Sequence, residues 1–164
     1  MYKRQRYERL PAGGAEGVIV VAVNAQNELL LIREYAAGFH EIQLTLPKGL
    51  VEPEESMEAA ATRELAEEAG FAAKHAEFIK RLTLAPGHMG FAINVVFATG
   101  LYPKQLQGDE PEPIELVPWP LQRLDELLSS EEFCEARAIA ALALCRPLFS
   151  QLLDAADGLR KREN

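Results

Sequence analysis

Three glutamates, Glu64, Glu67 and Glu68, crowd the end of a segment that otherwise reads as an amphipathic helix. The surrounding stretch, GLVEPEESMEAAATRELAEEAGF (49–71), holds seven glutamates in 23 residues. Wound at about 100° per residue, 56–69 places Ala61, Leu65 and Ala69 on one side. Glu64, Glu67 and Glu68 fall together on another. Glu64 and Glu68 lie one turn apart and repel by a few tenths of a kcal/mol. All three also sit where the helix dipole disfavours anions. No Lys or Arg stands three or four residues after any of them, so no basic residue is set to neutralise them. Such a face can simply be solvated. It is also the set of hard oxygen donors that a divalent cation takes, and a seated cation turns the repulsion into attraction.

The elements around this helix must hold it in place. Ser56 suits an N-cap and Gly70 a C-terminal stop. GVIVVAV (17–23) and ELLLIREY (28–35) read as buried strands joined by the turn NAQN, and EIQLTL (41–46) as a third strand. PKGLVEPEE reads as a loop. EFIKRLTL (77–84), FAINVVFATGLY (91–102) and IELVPW (114–119) are further strands. The helices are LQRLDELLSS and EEFCEARAIAALALCRPLFSQLLDAA, the second kinked near Pro147. Strands around one central helix, ending in two more, predict a mixed-sheet α/β sandwich.

The chain of 164 residues suits one domain over 1–164, with C-terminal helices at about 120–157. No apolar run long enough for a bilayer stands out, and the N-terminal charges lack a following apolar region. A cytoplasmic protein is expected. Cys134 and Cys145 read as reduced thiols in or near the core of one helical segment. The formal net charge of −8 argues against a nucleic-acid partner but not against a small anion bridged by cations. There is no P-loop, no H-E-x-x-H and no calcium-binding D-x-D-x-D-G loop.

Gly49, Glu55 and the run Arg63-Glu64-Leu65-Ala66-Glu67-Glu68-Ala69-Gly70-Phe71 resemble the complete Nudix box, G-x5-E-x7-R-E-U-x-E-E-x-G-U. The resemblance covers roughly 15–145. It implies the Nudix fold, a mixed-sheet α/β/α sandwich with a loop–helix–loop motif, and hydrolysis of a nucleoside diphosphate linked to another group. By position, Glu64 and Glu68 would be the principal ligands of two or three Mg²⁺ (or Mn²⁺) ions. Glu67 and the Lys48 carbonyl would complete the set. Glu55 and Arg63 would form an ion pair that fixes the loop against the helix.

Other stretches resemble the ADP-compounds hydrolase branch of that family: YERL (7–10), LIREYAAG (31–38), LAPGHMGFAINVVFATGLYP (84–103), GDEPEPIELVPWPL and FCEARAIAALALCR. Pro86, sixteen residues after Gly70, resembles the ADP-ribose pyrophosphatase pattern. The resemblance implies cleavage of ADP-ribose, NADH and short diadenosine polyphosphates with release of AMP, and a homodimer. Thr45-Leu46-Pro47-Lys48-Gly49 stands where those pyrophosphatases carry Glu-Leu-Pro-Ala-Gly, which argues against an ADP-ribose-only enzyme. Relatives also carry an N-terminal strand pair before YERL, and this chain is expected either to be shortened there or to do without it. The rival readings are a Nudix enzyme for a damaged nucleoside triphosphate, diadenosine tetraphosphate or capped RNA, and a non-catalytic ligand sensor. The intact box argues against the last.

Water attacks a pyrophosphate readily only when its charge is neutralised and the nucleophile aligned. The resemblance points to a loop beyond the box for the general base. Glu112 is the candidate, with Glu110 and Glu115 as alternatives and the box residues Glu64 and Glu67 as rivals. Tyr35, Phe39, Met89 and Phe91 could stack on adenine or pack in the core. Arg33 could reach a phosphate or a surface carboxylate, and His88 and Pro86 could contact substrate. Trp119 reads as packed in the core or at an interface.

Overall fold

A computed structural model describes residues 16–87, 89–108 and 112–160. Glu16–Ala22 (β1) lies between Lys48–Leu50 (β4), antiparallel, and Ala92–Pro103 (β6), parallel; Phe71–Thr83 (β5) pairs antiparallel with β6. This four-stranded sheet has the order β4-β1-β6-β5. A second, antiparallel sheet has the order β3-β2-β7, from Glu28–Ala36 (β2), Glu41–Thr45 (β3) and Glu115–Pro120 (β7). The helices are Met57–Glu68 (α1), Leu124–Leu128 (α2) and Ala136–Arg160 (α3).

The period-two side-chain alternation of a strand divides β1 between two cores. Val18, Val20 and Ala22 pack with Leu30, Ile32 and the α1 residues Ala60, Ala61, Leu65 and Ala69. Ile19, Val21 and Val23 pack with Leu29, Leu31 and, from the other side, Leu127, Phe133, Leu142 and Phe149. Helix layers thus cover both faces, the expected α/β/α sandwich. The stripe Ala61, Leu65, Ala69 is the buried one, and its small residues let α1 lie close on the strands.

Several boundaries differ from the sequence reading. Of PKG, read as loop, Lys48 and Gly49 start β4, where Lys48 faces Ile19 and Gly49 faces Val18. β5 begins at Phe71 rather than 77, because pairing with β6 from Pro103 onward satisfies its backbone, and a bulge falls between Phe78 and Lys80. The last helix starts at Ala136, not Glu131. Glu135 caps it, accepting from the Arg137 amide at 3.1 Å, and Phe133 plugs the core before it. α3 then runs through Pro147 as one element. Its stretch Ala136–Ala156 is long and apolar enough to cross a bilayer by length and composition, contrary to the first reading. Ala138, Ala141, Leu142, Cys145 and Phe149 of that stretch pack into the core. Cys134 lies before the helix and is exposed, which corrects its placing in that helical segment and in or near the core. Burial pushes the Cys145 thiol up to about 12, helped by Glu77, so it stays protonated.

Candidate active site

The helix that carries the glutamates is capped at both ends as expected. Ser56 Oγ accepts from the Ala59 amide at 3.2 Å, and Gly70 takes φ +75°. Gly70 also lies against the Gln105 side chain. Gln105 Nε2 donates to the Glu67 carbonyl at 3.2 Å, and the Leu106 and Lys104 amides donate to Ala66 and Gly70. These bonds stitch the loop after β6 onto the C-terminal end of α1, and that loop leads to Glu112.

Glu64 and Glu68 are not a solvated face: their exposures are only 5% and 6%. Arg63, one residue before Glu64, turns back over the cluster and corrects the expectation that nothing neutralises it. Its Nη1 donates to Glu64 Oε1 at 2.8 Å and to Glu67 Oε2 at 3.0 Å. Its Nε and Nη2 form a two-pronged pair with Glu55 at 3.1 and 3.0 Å, and Nη2 also reaches the Leu50 carbonyl. The expected Glu55–Arg63 pair is therefore present and ties the loop to α1. Burial alone would raise the Glu55 pKa. The Arg63 hydrogen bonds and charge, with the Glu52 amide, outweigh it and hold the carboxyl below its usual range. Arg63 is held charged by the same contacts.

Glu68 points away from Arg63. Its Oε2 accepts from the Lys48 amide at 2.8 Å. Burial pushes its pKa up to about 8; the charges of Glu34 and Glu64 add to this, and the amide and charge of Lys48 oppose it. The Lys48 ammonium pairs with Glu34 on β2. Sequence reasoning missed Glu34. Its alternation with Arg33 and Tyr35 along β2 was visible, but its proximity to the box was not.

Two clefts meet at this cluster. One, of about 780 Å³, is lined by Gly49, Leu50, Glu52, Arg63, Glu64 and Glu67 among others. The second, of about 380 Å³, is lined by Glu67, Glu68, Gln105, Glu112 and their neighbours. The structure thus brings Glu112 to the box glutamates. It leaves other candidates elsewhere. Arg33 bonds Glu132 at 2.8 Å and Glu115 at 3.4 Å, so it serves carboxylates here, not a phosphate. Tyr35 bonds His40 at 3.0 Å, and Phe39 is exposed. Phe91 and Trp119 each pack on the core, and Trp119 Nε1 donates to the Arg123 carbonyl. Pro86 is exposed and Met89 half-buried, and neither lines the two clefts. His88, Glu110 and the YERL segment lie outside the described residues.

The donor set fits a hard divalent cation. It offers carboxylate oxygens, and among the described residues no cysteine, histidine or methionine lines the two clefts. Gly49 belongs to the fit, since a β-carbon there would overlap the Glu64 carboxylate. Among the described residues no three acidic, histidine or cysteine side chains are set to hold one ion as they stand: Arg63 engages Glu64 and Glu67 while Glu68 faces Lys48. A cation would take these carboxylates from the guanidinium.

The NUDIX domain family model matches residues 14–142. The chain is 45% identical over 143 residues to the ADP compounds hydrolase NudE of Escherichia coli K12, covering 87% of this chain and 76% of that one. It is 27% identical to the ADP-ribose pyrophosphatase of Bacillus subtilis 168, covering 76% of this chain and 69% of that one. A solved structure of an ADP compounds hydrolase superposes with a TM-score of 0.83 at 43% identity, covering 87% of this chain and 77% of that chain. With every fixed position of the box filled and a family match over most of its length, the chain belongs to the NUDIX domain family.

Proposed function

We propose that this chain is a divalent-cation-dependent pyrophosphatase of ADP compounds. It cleaves ADP-ribose, NADH and short diadenosine polyphosphates and releases AMP. The observation that carries this reading is the meeting of Glu67, Glu68 and Glu112 on one cleft beside the Arg63–Glu64 cleft. The 45% identity to an ADP compounds hydrolase supports the substrate class.

Glu64, Glu67, Glu68 and the Lys48 carbonyl would hold two or three Mg²⁺ or Mn²⁺ ions. Bound there, the cations supply charge neutralisation of the diphosphate and acidify the attacking water. Arg63 and Glu55 hold the box loop against α1, and Gly49 leaves room for Glu64. Glu112 accepts the water's proton. Glu115 already pairs with Arg33, and Glu64 and Glu67 are assigned to the cations, which leaves the proton to Glu112. The working protein is read as a cytoplasmic homodimer of one domain over 1–164. It acts on small nucleotides and not on nucleic acid, in keeping with the net charge of −8.

The test is a panel of ADP-ribose, NADH and diadenosine triphosphate with Mg²⁺, the products separated by chromatography. AMP from all three is expected. Turnover of a nucleoside triphosphate, diadenosine tetraphosphate or capped RNA alone would reassign the substrate. Saturable binding without turnover would make the protein a sensor.

A further inference from the structure

Among the described ion pairs, Glu34–Lys48 is the one that joins the two sheets. Glu34 belongs to β2 of the three-stranded sheet, Lys48 to β4 of the four-stranded one. Both side chains are mostly buried, at 22% and 12% exposure. The pair is also continuous with the glutamate cluster, because the Lys48 amide donates to Glu68 Oε2. Lys48 therefore presents three groups within one residue. Its carbonyl is a candidate cation donor, its amide orients a candidate cation ligand, and its ammonium carries a positive charge that a divalent cation would oppose. Glu34 is the group that disposes of that charge.

We propose that Glu34 is a positioning residue for the cation site: it draws the Lys48 ammonium onto β2, away from incoming cations, and thereby fixes the Lys48 main chain against Glu68. This rests on the divalent-cation reading above. Residues that orient a metal's ligands typically change its affinity by about 10- to 100-fold when removed. An ion pair serving only to join the sheets would behave differently. Breaking a buried pair from either side destabilises the fold, but cation affinity would follow neither the identity nor the sign of the charge removed.

The two partners consequently give opposite predictions. In Glu34→Gln the ammonium is left without its carboxylate beside the cluster, and Mn²⁺ binding weakens about 10-fold or more. In Lys48→Met the amide and carbonyl remain while the positive charge is gone, so Mn²⁺ binds at least as tightly as in the wild type. In the double variant the stranded charge is absent, and affinity returns towards the wild-type value. Glu34→Asp, which keeps the charge, recovers part of it.

The experiment is titration of the full chain with Mn²⁺ alone, read by the loss of the free-ion paramagnetic resonance signal. Thermal unfolding of each variant checks its fold. Wild-type affinity in folded Glu34→Gln, or a double variant as weak as that single one, would overturn the inference while leaving the pyrophosphatase reading intact. If Glu34→Gln does not fold, a 10-fold weakening in Lys48→Met overturns it instead. A wild-type chain that neither binds Mn²⁺ nor releases AMP from any ADP compound removes the underlying reading and this inference together.

Discussion

Gly49 of β4 and Glu64 of α1 are packed so closely that a β-carbon at position 49 would overlap the Glu64 carboxylate. The strand and the helix meet there because one of them has no side chain. That contact turns a glycine in the box from a turn-former into a condition for placing a candidate metal ligand.

Gly49→Ala is therefore expected to displace Glu64. Overpacking of this kind costs about 1–3 kcal/mol, and Mn²⁺ affinity should fall about 10-fold or more as the ligand loses its orientation. Chemical denaturation and Mn²⁺ titration measure the two effects separately. Wild-type cation affinity in Gly49→Ala would show that the placement of Glu64 is irrelevant to the site.

Glu68→Gln keeps an oxygen for the Lys48 amide but removes the anion. Cation-dependent AMP release should disappear while circular dichroism and the unfolding temperature stay near wild type. Activity at the wild-type rate would take Glu68 out of the metal set.

The Glu55–Arg63 pair gives a pH signature. The Glu55 pKa is held low in the folded state, so its contribution is complete at and above the usual glutamate range. It is lost as pH falls through the lowered value. Glu55→Gln should cost about 1–2 kcal/mol at pH 7, a charge-assisted bond discounted for partial exposure. The difference from wild type should close on acidification below the usual glutamate range. Urea unfolding at several pH values tests this, and a difference that widens at low pH would reverse the assignment.

Glu112→Gln is expected to lower kcat by about 100-fold or more if this carboxylate takes the water's proton, with Mn²⁺ affinity unchanged. An undiminished kcat would return the role to Glu64 or Glu67. The slope of log kcat against pH in the two proteins separates loss of a base from a general loss of order.

Much of α1 was legible in one dimension, because its signals are local. Ser56 caps, Gly70 stops, and Ala61, Leu65 and Ala69 recur at the spacing that buries one side. The box itself is a pattern of residues at fixed offsets, so the family and its fold were readable from 49–71 before any contact was known. The burial of β1 and β2 was likewise visible in their unbroken apolar runs.

Other features depend on chain segments far apart in sequence. β4 is three residues long, and its Lys-Gly start after Pro47 looks like a loop until β1 supplies its hydrogen bonds. β5 starts six residues early for the same reason, through pairing with β6. Arg33 was open to phosphate or carboxylate, and Glu132, 99 positions away, decides it. Glu34 and Lys48 meet only because the two sheets are pressed together, and Arg63 reaches back to Glu64 and Glu67 only once Glu55 and Leu50 fix its other nitrogens. Residue identities and short offsets thus specified the helix, the box and the chemistry on offer. Packing decided which charges face one another, because side-chain direction and burial depend on neighbours that no local pattern contains.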